Sequence, residues 1–374
     1  MQEDDLNRVT LTVNGVDYSG WLSVSISAGV ERQARDFTLA ITRTWPGAQV
    51  APRLVQPGDV CEVSIGQDKL LTGYVYALPV RYDDQSMSFG VAGRSLTSDL
   101  VDCAADNRPG QWRGQTVRQI VTALAAPYGI KVVSEVGDGG VIADHQIQPG
   151  DTVFQSIDSL LRKSLLLSTD DEQGRLVLVR PGSGGRCADA LELGKNILTA
   201  DAPLDFSQTF SEYVCKGQRS GSNHDFGKAT NELSARVSDP RVPRKRVMMV
   251  QESGQMTVEM CRQRVEWERS SRMGKALEVS YTVAGWRQSN GALWRHNAEV
   301  RVIDSAIGFD RDMLITEVEY RLDENGMKTR LTVAPPESVD PEPADPLKAR
   351  KKKGKTKKGD EFEYLVAADG GKLP

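Results

Sequence analysis

The sequence predicts a mainly β protein with α+β character: two β-barrel domains flank a small α/β module, and a flexible C-terminal tail follows. Three observations predict this arrangement. Short alternating strands fill residues 8–102 and return in residues 186–335, as in antiparallel barrels. The hydrophobic period becomes helical within residues 103–185. Residues 336–374 carry too few apolar side chains to bury a core, and residues 1–7 are expected to be a flexible N-terminus.

The first domain is predicted from six or so strands. Apolar residues alternate from Val9 to Val13 and run into Asn14-Gly15, a dipeptide typical of tight hairpins. The later strands are predicted at Leu22–Ala28, Phe37–Ile41, Val60–Ile65, Leu70–Val80 and Met87–Ala92. Trp21 and Trp45 are assigned to the core because an indole buries a large area, with an interface anchor as the alternative.

The module between the two domains contains two predicted helices. The first has an apolar face from Val117 to Leu124 and is followed by a strand at Ile130–Val133. The second begins at Thr152, which has capping-box spacing to Gln155. Its apolar stripe is predicted to contain Val153, Ile157, Leu160, Leu161 and Leu165.

Two basic residues, Arg162 and Lys163, fall outside this stripe and are candidate partner contacts. A hairpin is predicted to follow, with strands at Leu165–Thr169 and Arg175–Arg180 and a turn that ends at Gly174. This unit has no visible chemistry, which favours a role as a spacer or clamp.

In the second domain, a charged helix interrupts the strands. The helix is predicted at Met256–Arg272 with Val258, Cys261 and Val265 facing inward. Strands are predicted at Tyr213–Gly217, Arg246–Val250, Leu277–Val283, Glu299–Ile303, Leu314–Leu322 and Thr329–Val333. A long polar loop, Gln218–Arg244, is expected to be functional or disordered. At its end, Arg241, Arg244 and Lys245 are candidate partner contacts.

A faint internal match links the two domains. DKLLTGYVYALPVRYDDQSMSFGVA begins at Asp68 and DMLITEVEYRLDENGMKTRLTVA begins at Asp312. Each contains Leu-Leu/Ile-Thr, an acidic turn, and a strand that ends in Val-Ala. The match favours two similar barrels.

The net charge of −4 is unevenly distributed along the chain. Eight basic residues lie in the tail at Lys348, Arg350, Lys351, Lys352, Lys353, Lys355, Lys357 and Lys358. Without them, 39 basic residues oppose 51 acidic ones, so the body is acidic. The tail is interpreted as a solvated, disordered segment or as an anchor for acidic partners, including a phosphate backbone.

The residues of common active sites are absent from the sequence. Five scattered cysteines without a C-x-x-C pair indicate free thiols, and the three histidines lack metal-ligand spacing. The glycine-rich loops match neither a P-loop nor a dinucleotide fingerprint. No catalytic residue, metal or cofactor is therefore predicted. A two-carboxylate hydrolase stays open as the enzyme alternative, because that chemistry needs only two acidic residues. The acidic start and the lack of a long apolar run predict a chain made in the cytoplasm without a spanning helix.

Barrel, α/β insert and barrel, in this order, resemble the baseplate hub proteins of contractile-tailed, Mu-like bacteriophages and, more distantly, the hub region of type VI secretion spike proteins. The residues that carry the resemblance are Gly58-Asp59, Leu71–Val75, Asp151–Val153, Gly174–Leu178, Asp239–Arg244, Leu293-Trp294 and Val302–Asp304. None of these motifs is specific by itself. Their order along residues 9–335 carries the resemblance.

The resemblance implies a homotrimer whose six tube-like barrels join a six-fold tail tube to a three-fold spike. The implied partners are the tail tube, the central spike, the tape-measure protein and the baseplate wedge, and genomic DNA would pass through the bore without sequence-specific binding. The implied location is the virion tail baseplate, assembled in the host cytoplasm. A peptidoglycan-degrading tail-tip hydrolase and the hub of a phage-derived contractile injection particle are the alternatives.

Overall fold

A computed structural model describes residues 3–42, 55–82, 87–162, 164–217, 233–252 and 257–341. The predictions for Trp45, Lys163, residues 218–232 of the long loop and the basic tail lie outside these ranges.

The first region begins with a short helix, α1 (Glu3–Leu6), in the segment predicted to be flexible. Its strands are β1 (Val9–Val13), β2 (Val16–Tyr18), β3 (Ser23–Gly29), β4 (Asp36–Thr42), β5 (Val60–Ile65), β6 (Asp68–Ala77), β7 (Val80–Tyr82) and β8 (Met87–Ser95). Every predicted strand is present, and Asn14-Gly15 forms the β1–β2 turn with both residues at positive φ. The run predicted from Leu70 divides before Pro79, which has no amide hydrogen for the ladder. Trp21 is buried, as predicted.

The α/β module is preceded by a helix whose Leu100 is fully buried in the module core. Its elements are α2 (Ser98–Asp102), β9 (Gln111–Trp112), β10 (Gln115–Thr116), α3 (Val117–Ala125), β11 (Val132–Ser134), β12 (Val141–Ile142), β13 (His145–Gln146), α4 (Val153–Arg162), β14 (Leu167–Asp170) and β15 (Leu176–Val179). The predicted helix α4 has its capping box: the Gln155 amide donates to Thr152 Oγ1 at 3.2 Å, and Gln155 Oε1 accepts from the Thr152 amide at 2.8 Å.

One residue of the predicted α4 stripe was assigned wrongly. Leu165 lies beyond the helix at φ 52° and is 56% exposed, whereas Leu166 is buried. The helix ends at Arg162, so the helical spacing that placed Leu165 on the stripe no longer applies there. The hairpin strands therefore begin later than predicted, at Leu167 and Leu176.

The second region contains a helix packed on a small sheet, and strands that join the first region. Its elements are β16 (Leu191–Glu192), β17 (Ile197–Asp201), β18 (Glu212–Gly217), β19 (Leu233–Ser238), β20 (Val247–Glu252), α5 (Val258–Ala276), β21 (Val279–Ala284), β22 (Glu299–Asp304), β23 (Phe309–Asp323) and β24 (Gly326–Ala334). On α5, Cys261 and Val265 are buried as predicted, but Val258 is 53% exposed because it lies at the first turn of the helix.

The predicted long loop contains a strand. Leu233–Ser238 pairs antiparallel with β18, and β20 pairs with the other side of β18 in parallel. Its polar composition concealed this because alternate residues, such as Arg236, are exposed while the others face α5. A strand with one exposed face carries many polar residues, so its sequence is hard to distinguish from that of a loop.

The described protein is mainly β, and one 14-stranded sheet spans both β regions. Its main strand order is β17-β21-β24-β23-β3-β4-β8-β6-β5-β1-β2. The two regions meet where β3 pairs antiparallel with β23, from Val24 opposite Leu322 to Gly29 opposite Glu317. They share one hydrophobic core, in which Leu11 and Phe37 belong to the same cluster as Tyr281 and Val300. The predicted two-barrel architecture is not confirmed, since no pairing among the described strands closes either region.

The strand order is nevertheless repeated. In the first region it reads β3-β4-β8-β6-β5-β1, and in the second it reads β17-β21-β24-β23-β22-β16. Counterparts follow one another in the same order along the chain. They differ at one pairing, since β1–β5 is antiparallel and β16–β22 is parallel.

Local irregularities repeat as well. Tyr76 is an extra residue between the ladder pairs of β6, and Thr316 is an extra residue in β23. The pair formed by Val60 of β5 and Tyr74 of β6 corresponds to the pair formed by Glu299 of β22 and Leu314 of β23. The internal sequence match found the right strands in the wrong register, because it set Thr72 against Thr316. An even displacement along a strand preserves which side chains face inward, so the apolar pattern still matched.

Candidate assembly surfaces

A buried ion pair joins the α/β module to the first β region. The Arg35 Nε donates to Asp170 Oδ1 at 3.2 Å, and the Arg35 amide donates to Asp170 Oδ2 at 3.0 Å. A further guanidinium nitrogen donates to the Leu70 carbonyl at 2.8 Å. Burial raises the pKa of Asp170, and the positive charge of Arg35 opposes this rise. The arrangement holds the β14–β15 hairpin against β6.

The tip of the β14–β15 hairpin also contacts the first β region. Gly174 has φ +71°, and a Cβ there would lie 2.8 Å from the Thr72 carbonyl oxygen and from a side-chain atom of Leu96. Thr72 Oγ1 donates to the Glu172 carbonyl at 2.9 Å. The turn glycine predicted from sequence therefore also permits close packing between the module and the sheet.

A cavity of about 310 Å³ lies where the module meets both β regions. Arg35, Asp170, Glu172 and His296 are among its lining residues. His296 is half-buried, and burial together with the charges of Arg35 and Arg295 lowers its pKa to about 3. His296 is therefore neutral, and its contact with Thr169 Oγ1 at 3.3 Å is consistent with a structural role between the module and the second β region.

The predicted contact residues lie on two separate elements. Arg162 is exposed at the end of α4 and pairs with Asp158 at 2.8 Å. Arg241 lies between β19 and β20 and binds the buried Asp239 through two guanidinium contacts of 2.8 and 2.7 Å. Burial raises the pKa of Asp239, but the hydrogen bonds and charge of Arg241 outweigh this and lower it.

Arg244 and Lys245 follow in the same connection and are exposed. Neither has an ion-pair partner among the described residues. Next to them, Arg241, Arg269, Arg311 and Glu337 help to line a cleft of about 370 Å³. The sequence did not indicate Arg269 and Arg311, since α5 and β23 bring them to the cleft from distant positions.

The residues just after the sheet form a strap over α5. Ser338 and Val339 are buried, and the Trp267 Nε1 donates to the Asp340 carbonyl at 2.7 Å. A Cβ at Gly274 would lie 2.8 Å from Ser338, so this glycine permits the close contact. Residues 336–341, which the sequence assigned to the flexible tail, are thus packed on the body.

Sequence reasoning did not indicate that β17 and β7 have open edges. Among the described strands, β17 has β21 as its single neighbour, and β7 pairs with β8 alone. Large apolar side chains are exposed at both places: Leu198 at 52%, Tyr76 at 54% and Val80 at 49%. Unpaired edges with exposed apolar residues are typical of strand-to-strand contacts between chains.

The described part of the chain contains no group of three or more His, Cys, Asp or Glu residues placed to hold a metal ion. All five cysteines are free thiols, as predicted. None of the described helices is long and apolar enough to cross a bilayer.

Comparison with known proteins reveals the family. Three family descriptions match: "Mu phage baseplate assembly protein GpP-like, N-terminal" over residues 8–95, "Baseplate hub protein gp44-like, second domain" over 97–180, and "Mu phage baseplate assembly protein GpP, fourth domain" over 257–342. The chain is 33% identical to baseplate hub protein gp44 of Escherichia phage Mu over 344 residues, which is 88% of each chain.

Solved structures agree. The 43 kDa tail protein of prophage MuSo2 from Shewanella oneidensis is 30% identical, with TM-score 0.79 and coverage of 89% of this chain and 99% of that one. A tail protein from Neisseria meningitidis has the same fold at 23% identity, with TM-score 0.73 and coverage of 90% and 98%. A type VI secretion component of E. coli has a related fold at 13% identity, with TM-score 0.53 and coverage of 87% and 76%. The chain therefore belongs to the baseplate hub proteins of Mu-like phages, which are structural components of the virion tail baseplate and not enzymes.

Proposed function

We propose that three copies of this chain form a ring that joins the six-fold tail tube to the three-fold central spike. The repeated strand order carries the proposal. Each chain supplies two β regions with the same strand order, so three chains supply six similar units around a three-fold axis. Such a ring matches a six-fold partner on one face and a three-fold partner on the other.

The two β regions then act as tube-like units despite their shared sheet. Their shared strand order and the matching bulges at Tyr76 of β6 and Thr316 of β23 support this. The module and the α5 sheet lie outside this repeat, and they are assigned to the outer contacts of the ring. The division into residues 8–102, 103–185 and 186–335 remains our domain proposal.

The partners follow from this position in the baseplate. The tail tube and central spike are assigned to the two faces of the ring, and the wedge proteins to its outside. Arg241, Arg244, Lys245, Arg162 and Lys163 are proposed as contact residues for these neighbours. The tape-measure protein, and later the genomic DNA, would occupy the bore.

An acidic body suits DNA passage. Without the eight tail cations, the chain carries 39 basic and 51 acidic residues. DNA binds tightly where lysine and arginine release its counterions, so an acidic wall lets it slide. A strongly positive electrostatic potential along the bore would contradict this assignment.

The basic residues from Lys348 to Lys358 are assigned to the outside of the ring, against an acidic neighbour. Removal of residues 348–374 is expected to weaken docking in the baseplate while leaving the ring intact. Infectivity of phage that carry the truncated chain measures the effect. Unchanged infectivity and assembly would remove the tail from the docking surface.

Imaging tests the proposed function directly. Purified chain mixed with its spike protein should give annular particles in negative stain, with six similar lobes in three-fold averages. Particles without a central opening would contradict the proposal.

A further inference from the structure

We propose that β17 of one copy pairs antiparallel with β7 of a second copy, in the way that β3 pairs with β23 within the chain. This inference rests on the proposed ring and names the strands that close it.

The junction inside the chain is the template. β3 and β23 pair over six residues of each strand. Side chains strengthen the contact: Arg32 pairs with Glu317 at 2.8 Å, and Ser25 Oγ donates to Glu319 at 2.9 Å. β3 here extends the sheet beyond the point where β22 ends against β23, since β22 reaches only Leu314.

The counterparts of these two strands are both unpaired at the matching edge. The counterpart of β3 is β17, and the residues that pair with β3, Glu317–Leu322, follow the Thr316 bulge. Their counterparts, Ala77–Tyr82, follow the Tyr76 bulge and comprise the end of β6 and all of β7. β5 reaches only Tyr74, so among the described strands this edge is vacant.

The other end of the sheet, β2, has no counterpart in the internal junction. It extends the sheet beyond β1, and the repeat ends at β1. The repeated topology therefore selects β7, rather than β2, as the acceptor of β17.

The register follows from rows of opposed residues. In the first region Val24, Leu39 and Val91 lie opposite one another across β3, β4 and β8. The matching row in the second region is Ala200, Tyr281 and Leu331 across β17, β21 and β24. Ala200 is therefore the counterpart of Val24.

The acceptor residue is fixed by its distance from the bulge. Val24 lies opposite Leu322, and the counterpart of Leu322 is Tyr82. Ala200 of one copy is thus expected opposite Tyr82 of the next. Asp201 then lies opposite Arg81, and Val80, half-exposed in the single chain, lies opposite Ala202, one residue beyond β17.

Such a contact is head-to-tail, because β17 and β7 are different surfaces. A rotation of one third of a turn between copies closes it into a ring. Six junctions then alternate around the ring: three are the β3–β23 pairing within chains, and three are the β17–β7 pairing between chains.

Engineered disulfides test the register. Cα atoms of opposed residues in a ladder lie about 4.5–5.5 Å apart, within the range a disulfide spans. The full-length chain with Ala200→Cys and Tyr82→Cys should form covalent trimers on mild oxidation, seen on a non-reducing gel. Each single variant should stay largely monomeric on that gel, because the native cysteines are buried or half-buried.

A second pair tests the other end of the sheet. Ala200→Cys with Val16→Cys places one thiol on β17 and the other on β2, and it should give no covalent trimer. Cross-linking of this pair in preference to Ala200→Cys with Tyr82→Cys would overturn the inference. Trimer mass in solution without either cross-link would also overturn it, while leaving the proposed ring intact. A monomer under all conditions would instead contradict the proposed function.

Discussion

Arg35 is a residue whose loss should destabilise the chain strongly. It is 8% exposed at its side chain and neutralises Asp170, whose side chain is 1% exposed. Removing one partner of a buried ion pair leaves the other charge uncompensated. Arg35→Ala should therefore lower the free energy of unfolding by about 3–5 kcal/mol, measured by chemical denaturation.

Arg118→Ala is the matched control. Arg118 pairs with Asp138 at 3.2 Å, but both side chains are about half-exposed or more. Solvent screens such a pair, so the loss should stay below about 1 kcal/mol. Equal effects for the two variants would show that the Arg35 pair does not fasten the module.

Single residues could be predicted from sequence where one local rule acts. Asn14-Gly15 and the Thr152–Gln155 capping box depend on neighbours within the same turn, and both predictions are confirmed. The Arg35–Asp170 pair could not be predicted, because its residues lie far apart in sequence. The same holds for Arg269 and Arg311, which line the cleft beside Arg241.

At the scale of elements, the α4 stripe supports the module. Leu161 is 2% exposed in the module core. Leu161→Asp would bury a carboxylate among apolar side chains and should unfold the module, because an unpaired buried charge costs several kcal/mol. Thermal melts and ring assembly would both report the loss.

Leu165→Asp is the informative comparison. The sequence placed Leu165 on the same stripe, but the side chain is 56% exposed at a positive φ that aspartate tolerates. This variant should melt within a few degrees of the parent chain and assemble normally. A large loss of stability would contradict the corrected end of α4.

Strand positions could be predicted well, but strand pairing could not. Alternating apolar residues mark a strand, and nothing in them says which strand is the neighbour. The β3–β23 junction joins residues at opposite ends of the chain, and it turns the two predicted barrels into one sheet with one core. The repeat was visible in the sequence only as a match in the wrong register.

At the scale of the whole molecule, the two β regions repeat one strand order, and the internal junction is the proposed template for the contact between chains. The family membership places the protein in the tail baseplate. The proposed ring of three would account for the repeat and for the exposed apolar residues at the edges of β17 and β7.

The mass of the full-length chain in solution tests this account most directly. Light scattering during size-exclusion chromatography, at rising protein concentration and with the spike protein added, measures it without labels. The account predicts a hub species of three times the 41.0 kDa chain mass. A hub that stays at the mass of one chain across the whole range, with the spike protein present, would contradict it.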